Sequence, residues 1–220
     1  AALDLAQLWA SIAPNNPEPI YIAGQYFIDS GQLVAALQQS KRLLALHASP
    51  LFLAIATNPA ATEEKTLASL SREYTTLLHD DPDNADLMLG NAALLAANTH
   101  YDDSLSLIEK VRAVDQKNLP ARLLEVDVLY KSGRPDTAIK HMSDIVNDEP
   151  DNDKLRMEYA RMLSESDLKK AREQFDYMAQ RNSLEPNLLL ARAMVNYQLK
   201  DYGQAREFFE QLLFLKKNAD

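Results

Sequence analysis

Cysteine is absent from the 220 residues. That removes disulfides, thiolate metal ligands and cysteine nucleophiles, and it fits a reducing or an oxidising compartment equally. Only five glycines are present, and strict alternation of apolar and polar residues is essentially missing, which argues against a β architecture. No apolar run approaches roughly 18 residues, so no segment reads as a bilayer span, and no signal peptide is visible. Clusters of Lys and Arg are missing as well. With 23 basic against 32 acidic residues the net charge is −9, a poor match to phosphate backbones, so a nucleic acid partner is not expected.

Catalytic and metal chemistry is equally sparse. Among His47, His79, His100 and His141 no pair has metal-ligand spacing on one helix face, and no His-Glu-x-x-His occurs. Asp80-Asp81-Pro82-Asp83 with Asp86 lacks the glycine and closing glutamate of a calcium loop; it reads as a helix stop followed by acidic capping of the next helix. Phosphate-cradling glycine loops and a Gly-x-Ser-x-Gly elbow are absent. The expectation is therefore a protein without cofactor or metal and not an enzyme.

What the chain does have is a period. A small or apolar residue recurs at Ala2, Ala36, Leu70, Ser104, Ala138, Ala171 and Ala205, with successive differences of 34, 34, 34, 34, 33 and 34. A larger apolar column tracks it at Trp9, Leu43, Leu77, Val111, Ile145, Met178 and Leu212. A third holds Tyr74, Ile108, Met142, Phe175 and Phe209, with Ser40 and Ala6 as small members. Residues 119–152 show the unit best: a helix from Pro120 to Ser132, a turn at Gly133-Arg134-Pro135, a helix from Asp136 to Asn147, then a breaker at Glu149-Pro150. Two such helices cannot bury both apolar faces against each other, but side-by-side copies can.

The register divides the chain into a leading half repeat, 1–16, and repeats 17–50, 51–84, 85–118, 119–152, 153–185 and 186–219. Because residues 1–13 match a second helix with no first, the sequence is expected to be a segment of a longer protein. In 17–50, Gly24 permits close approach of a neighbour and Gly31 makes the turn, where a left-handed backbone disfavours other residues. In 51–84, Pro59 should stop the first helix near Thr57 or Asn58. A protruding loop should follow at residues 58–61, and a longer helix from Thr62 to His79. In 153–185 one residue is missing near Ser166 and Asp167. Phe208, Phe209, Leu212, Leu213, Phe214 and Leu215 cover too much of the last helix to be satisfied from one side.

These alanine and apolar columns, Gly31 and Gly133, the Pro82 and Pro150 closers and the run Asp201-Tyr202-Gly203-Gln204-Ala205-Arg206 with Phe209 resemble the tetratricopeptide repeat superfamily over essentially the whole chain. Asn91, Glu125 and Arg192 depart from it, standing where the family usually has leucine. The resemblance implies an all-α, right-handed superhelical solenoid of antiparallel helix pairs whose first helices line a concave surface. It implies a scaffold that grips a peptide or partner protein. By position the binding residues would be Tyr21, Gln25, Leu89, Ala93, Leu123, Asp127, Tyr130, Met157, Arg161, Leu190, Met194 and Tyr197. Ile28 and Ala96 extend the same row. One subclass grips C-terminal carboxylates with lysines, asparagines and an arginine. At its positions stand Tyr21, Gln25, Leu89, Lys154 and Glu158, of which only Lys154 suits, so that chemistry is rejected. A partly apolar groove suits an amphipathic helix or an extended apolar peptide instead. The alternative expectation is a structural module that self-associates through the apolar C-terminal edge. The chain's start, the missing cysteine and an Asn/Gln-rich composition suggest a bacterial envelope adaptor or lipoprotein, in the periplasm, with the cytoplasm left open.

Overall fold

The computed structural model describes residues 2–181 and 184–217; the predicted boundary at Ala219 lies outside them. The described residues form α-helices joined by short turns and fall into two compact units, 1–134 and 135–220. The first unit holds α1 (Ala2–Ile12), α2 (Pro17–Asp29), α3 (Leu33–Ala45), α4 (Phe52–Thr57), a 3₁₀ turn (Pro59–Thr62), α5 (Glu64–Asp80), α6 (Ala85–Ala97), α7 (Tyr101–Val114) and α8 (Leu119–Lys131). The second holds α9 (Pro135–Asp148), α10 (Asp153–Leu163), α11 (Leu168–Ala179), α12 (Pro186–Gln198) and α13 (Tyr202–Lys217). The two helices expected within 119–152 are α8 and α9, each within one residue of its predicted ends.

The starts of all first helices except α4 are fixed by one capping residue each. Asn16, Asn84, Asn118 and Asn152 each accept an amide hydrogen from the first turn of the helix they precede, satisfying a donor that the helix leaves open. Glu185 does the same for α12 by accepting the Leu188 amide at 2.6 Å. Asp167 caps α11 by accepting the Lys170 amide, and this hydrogen bond holds its carboxyl below the usual range. The Asp-Pro-Asp-Asn and Glu-Pro-Asp-Asn segments, read as closers, therefore open the next helix.

Helix ends inside the pairs follow one geometry. The amides of Gln32, His100, Arg134 and Asp201 reach back five residues to the carbonyls of Phe27, Leu95, Leu129 and Asn196 at 2.8–2.9 Å. This closure needs a left-handed residue just before the donor. Gly31 (φ 71°) and Gly133 (φ 79°) supply it as expected, but so do Thr99 (φ 62°) and Lys200 (φ 64°). In the shortened repeat the Asp167 amide instead reaches back four residues to Leu163, at 2.6 Å, and no residue of that turn is left-handed. The missing residue is the left-handed one.

In the first unit a continuous apolar cluster runs through Ile20, Leu37, Leu43, Phe52, Ile55, Leu70, Tyr74, Leu87, Leu94, Ile108 and Val128. Full burial of such a side chain stabilises by about 1.5–3 kcal/mol. The small-residue column is buried at Ala36, Leu70, Ser104, Ala138, Ala171 and Ala205. The serines of the repeating columns are more than spacers. Ser104 donates to the Ala92 carbonyl at 2.7 Å, tying α7 to α6, and Ser40 accepts the Leu51 amide at 2.8 Å, tying α3 to the start of α4. In the second unit Ala160, Leu163, Ala171, Phe175, Met178, Leu188 and Val195 join α10, α11 and α12, while Leu189, Ala193 and Phe208 join α12 and α13.

The segment after Pro59 differs from expectation. Residues 58–61 do not protrude: Pro59–Thr62 form the 3₁₀ turn, Ala61 is fully buried, and Asn58, which caps the turn, donates to the Ile28 carbonyl at 3.0 Å. The following helix begins at Glu64 rather than Thr62, whose hydroxyl donates to the Pro59 carbonyl.

Two of the three departures from the leucine pattern are explained by partners on an adjacent helix. Glu125 of α8 is ion-paired with Arg112 of α7. Arg192 of α12 pairs with Asp176 of α11 at 2.9 Å and lies 4.1 Å from the ring centre of Phe208 on α13. A guanidinium there replaces leucine packing with an ion pair and a stacking contact.

Gly90 sets the closest approach. A Cβ there would stand 2.5 Å from Cε1 of Tyr74 and 3.2 Å from the Phe52 carbonyl carbon. The Tyr74 ring cannot yield, because it is buried and its hydroxyl donates to the Phe52 carbonyl at 2.7 Å. A Cβ on Gly24 would meet only the end of the Leu51 side chain at comparable range. Gly90→Ala should therefore lower stability by about 1–3 kcal/mol and Gly24→Ala by clearly less, read from urea denaturation midpoints; equal losses would contradict the geometry. Thr99→Gly should raise stability by about 0.5–1 kcal/mol, because relief of a left-handed β-branched residue outweighs the added unfolded-chain freedom. A lowered melting temperature would refute this.

Candidate functional site

The first helices of the second unit present an exposed face. On α12, Leu190, Met194 and Tyr197 follow at intervals of four and three residues, the spacing of one helical stripe, and are 47%, 48% and 57% exposed. Their opposite side, Leu188, Leu189, Ala193 and Val195, is buried. On α10, Met157 is half-buried and Arg161 exposed, while Leu155, Ala160 and Leu163 face inward.

Two adjoining concavities lie along this face. One, of about 580 Å³, is lined by Lys154, Met157, Glu158, Arg161, Met178 and Asn187 among others. The second, of about 370 Å³, is lined by Arg161, Phe175, Asn187, Leu190, Met194 and Gln198 among others. Arg161 and Asn187 border both. Four of the twelve predicted binding residues, Met157, Arg161, Leu190 and Met194, thus share one groove. Tyr197 stands one turn beyond Met194, its ring edge-on to Tyr202 with centres 5.6 Å apart.

The groove is apolar along its floor and charged at its rim. Arg161 donates to Glu158 at 2.9 Å, a pair exposed on both sides. Asp153 is held from behind by Arg181 at 2.9 Å, and Glu185 is occupied with the start of α12. Arg181 and Arg156 flank the Tyr177 ring and both donate to the Pro150 carbonyl. The turn that launches α10 is thereby fastened to α11, and one wall of the groove with it. Asn187 and Gln198 were missed in the sequence, although each sits three or four residues from a predicted neighbour on the same helix, and Glu158, weighed there only for carboxylate gripping, also lines the groove.

The predicted residues of the first unit are placed differently. Tyr21 on α2 is 44% exposed, and Gln25 donates to Asp29 at 3.0 Å. Leu89 and Ala93 on α6 are buried, at 3% and 6% exposure, and offer a partner almost no surface. On α8, Leu123 and Tyr130 are half-buried, and exposed Asp127 is ion-paired with Lys131 at 2.7 Å. Among the described residues no group of three or more metal-binding side chains converges, and no helix is long and apolar enough to cross a membrane.

Comparison with known proteins agrees with this architecture. Two Tetratricopeptide repeat family models match residues 95–162 and 163–220. The TPR repeat-containing protein PA4667 of Pseudomonas aeruginosa is 28% identical over 159 residues, 72% of this chain; the match spans 27% of that protein's length. Among solved structures, Pseudomonas aeruginosa PilF superposes with a TM-score of 0.59 at 17% identity, covering 90% of this chain and 91% of its own. YrrB, a TPR protein described as having an unusual peptide-binding site, gives 0.54 at 16% identity, covering 76% and 85%. At such identities the structural likeness shows the fold. With the buried 34-residue columns and the repeated turn closure, these matches mean that the chain belongs to the tetratricopeptide repeat superfamily, a superfamily of protein-interaction scaffolds.

Proposed function

We propose that the chain is a non-enzymatic scaffold that binds a peptide segment of a partner protein in the groove between α10 and α12. The observation that carries this reading is the coincidence of Met157, Arg161, Leu190 and Met194 along two adjoining concavities, next to an exposed aromatic pair. Exposed methionine and leucine on a pinned backbone adapt to different apolar side chains. The polar rim would orient a bound segment through Arg161, Glu158 and Asn187. Such a surface suits an amphipathic helix or an extended apolar peptide. Burying about 400 Å² of apolar surface is worth roughly 10 kcal/mol gross at 25 cal/mol/Å². Association and ordering costs remove much of that, which leaves micromolar affinity.

A photo-crosslinking residue at position 194 should trap the partner, and a peptide from the trapped segment can then be titrated. Leu190→Asp and Met194→Asp should each weaken its binding by about tenfold or more, with thermal melts unchanged because both side chains are half exposed. Wild-type affinity in both variants would remove the groove from consideration.

A further inference from the structure

The groove between α10 and α12 runs on into a third concavity. This one, of about 530 Å³, is lined by Ser164, Glu165, Ser166, Asp167, Lys169 and Gln198 among others. Ser164, Glu165 and Gln198 also border the second concavity, so the three form one row along α10, with Lys154 at one end and Lys169 at the other. The charges of this row are unequally used. Asp153 is held by Arg181, Glu158 by Arg161 and Asp167 by Lys170. Glu185 accepts the Leu188 amide, and Glu165 is not free either. Lys154 and Lys169 are exposed, and among the described residues neither ammonium group has a hydrogen bond or an ion pair.

Resting on the groove reading above, we propose that the bound segment is extended, apolar at its centre and acidic at both ends, with one side-chain carboxylate on Lys154 and the other on Lys169. Lys154 and Ser164 are ten residues apart, about 15 Å at 1.5 Å per helical residue. An extended chain rises about 3.3 Å per residue, so the two acidic residues stand about five positions apart. Concavities that meet only at shared border residues receive side chains in turn, as an extended segment presents them. Met157, Leu190 and Met194 meet the apolar residues between. The net charge of −9 would favour a basic segment at long range. Screening limits that field to about 8 Å at physiological salt, and within the groove the carboxylates are already engaged. Both contacts are made to acidic side chains, so a free C-terminal carboxylate is not required.

Calorimetric titration with acetylated, amidated peptides tests this: Glu-Leu-Met-Leu-Leu-Glu, and the same apolar core flanked by Gln or by Lys. The acidic probe should bind about three- to tenfold more tightly than the Gln probe, and the Lys probe more weakly than either. Leu190→Asp should weaken the acidic probe by about tenfold or more, which locates it in the groove. Lys154→Glu and Lys169→Glu should each weaken it by about three- to tenfold, and the double variant should prefer the Lys probe. Thermal melts check that each variant keeps its fold. Equal affinity for the three flanks, with Leu190→Asp still weakening all of them, would overturn the charge assignment and leave the groove standing. An acidic probe that does not bind, or that is indifferent to both lysine reversals, would also overturn it.

Discussion

Close approach of helices through small side chains is the constraint on which the structure depends. A helix pair of this length has one apolar stripe per helix and too little surface between them to bury both. The stripe is covered only if neighbouring helices come near, and they come near only where side chains are small. Ala36, Ser104, Ala138, Ala171 and Ala205 provide that clearance on the second helices, and Gly90 provides it where α6 meets Phe52 and Tyr74. The serines add direction, because each places one hydrogen bond onto a neighbouring backbone.

The exposed residues follow from the same constraint. On α12 the inward stripe is consumed by α10, α11 and α13, so Leu190, Met194 and Tyr197 remain outside. On α6 the 3₁₀ turn and four helices, α4, α5, α7 and α8, all pack against one thirteen-residue segment, and little of it is left to meet a partner. The irregular repeat explains the difference: its first helix is only six residues long, and the buried turn that follows fills space beside α6. Exposed surface is therefore unevenly distributed over first helices that look alike by register.

Much of this was legible in the residues, and the exceptions have physical causes. The period and the turn glycines read directly, since small size and left-handed tolerance are written in the residue type. Thr99 and Lys200 were not legible as left-handed positions, because neither residue favours that conformation; only the five-residue hydrogen-bond closure reveals them. Pro59 announced the end of α4 but not that Ala61 would be buried. Glu125 and Arg192 looked like faults in a leucine column because their partners, Arg112 and Asp176, stand 13 and 16 residues away, beyond any local pattern. Position in the repeat could name Leu89, Ala93, Leu190 and Met194 alike as groove residues. It could not say that neighbours would bury the first two and spare the last two.

The six methionines allow the central claim to be read in one spectrum. With the methionine methyls labelled, the bound peptide should shift the signals of Met157 and Met194, which border the groove, and leave those of buried Met88 and Met142 in place. A saturating partner peptide that leaves Met157 and Met194 unmoved would contradict the account.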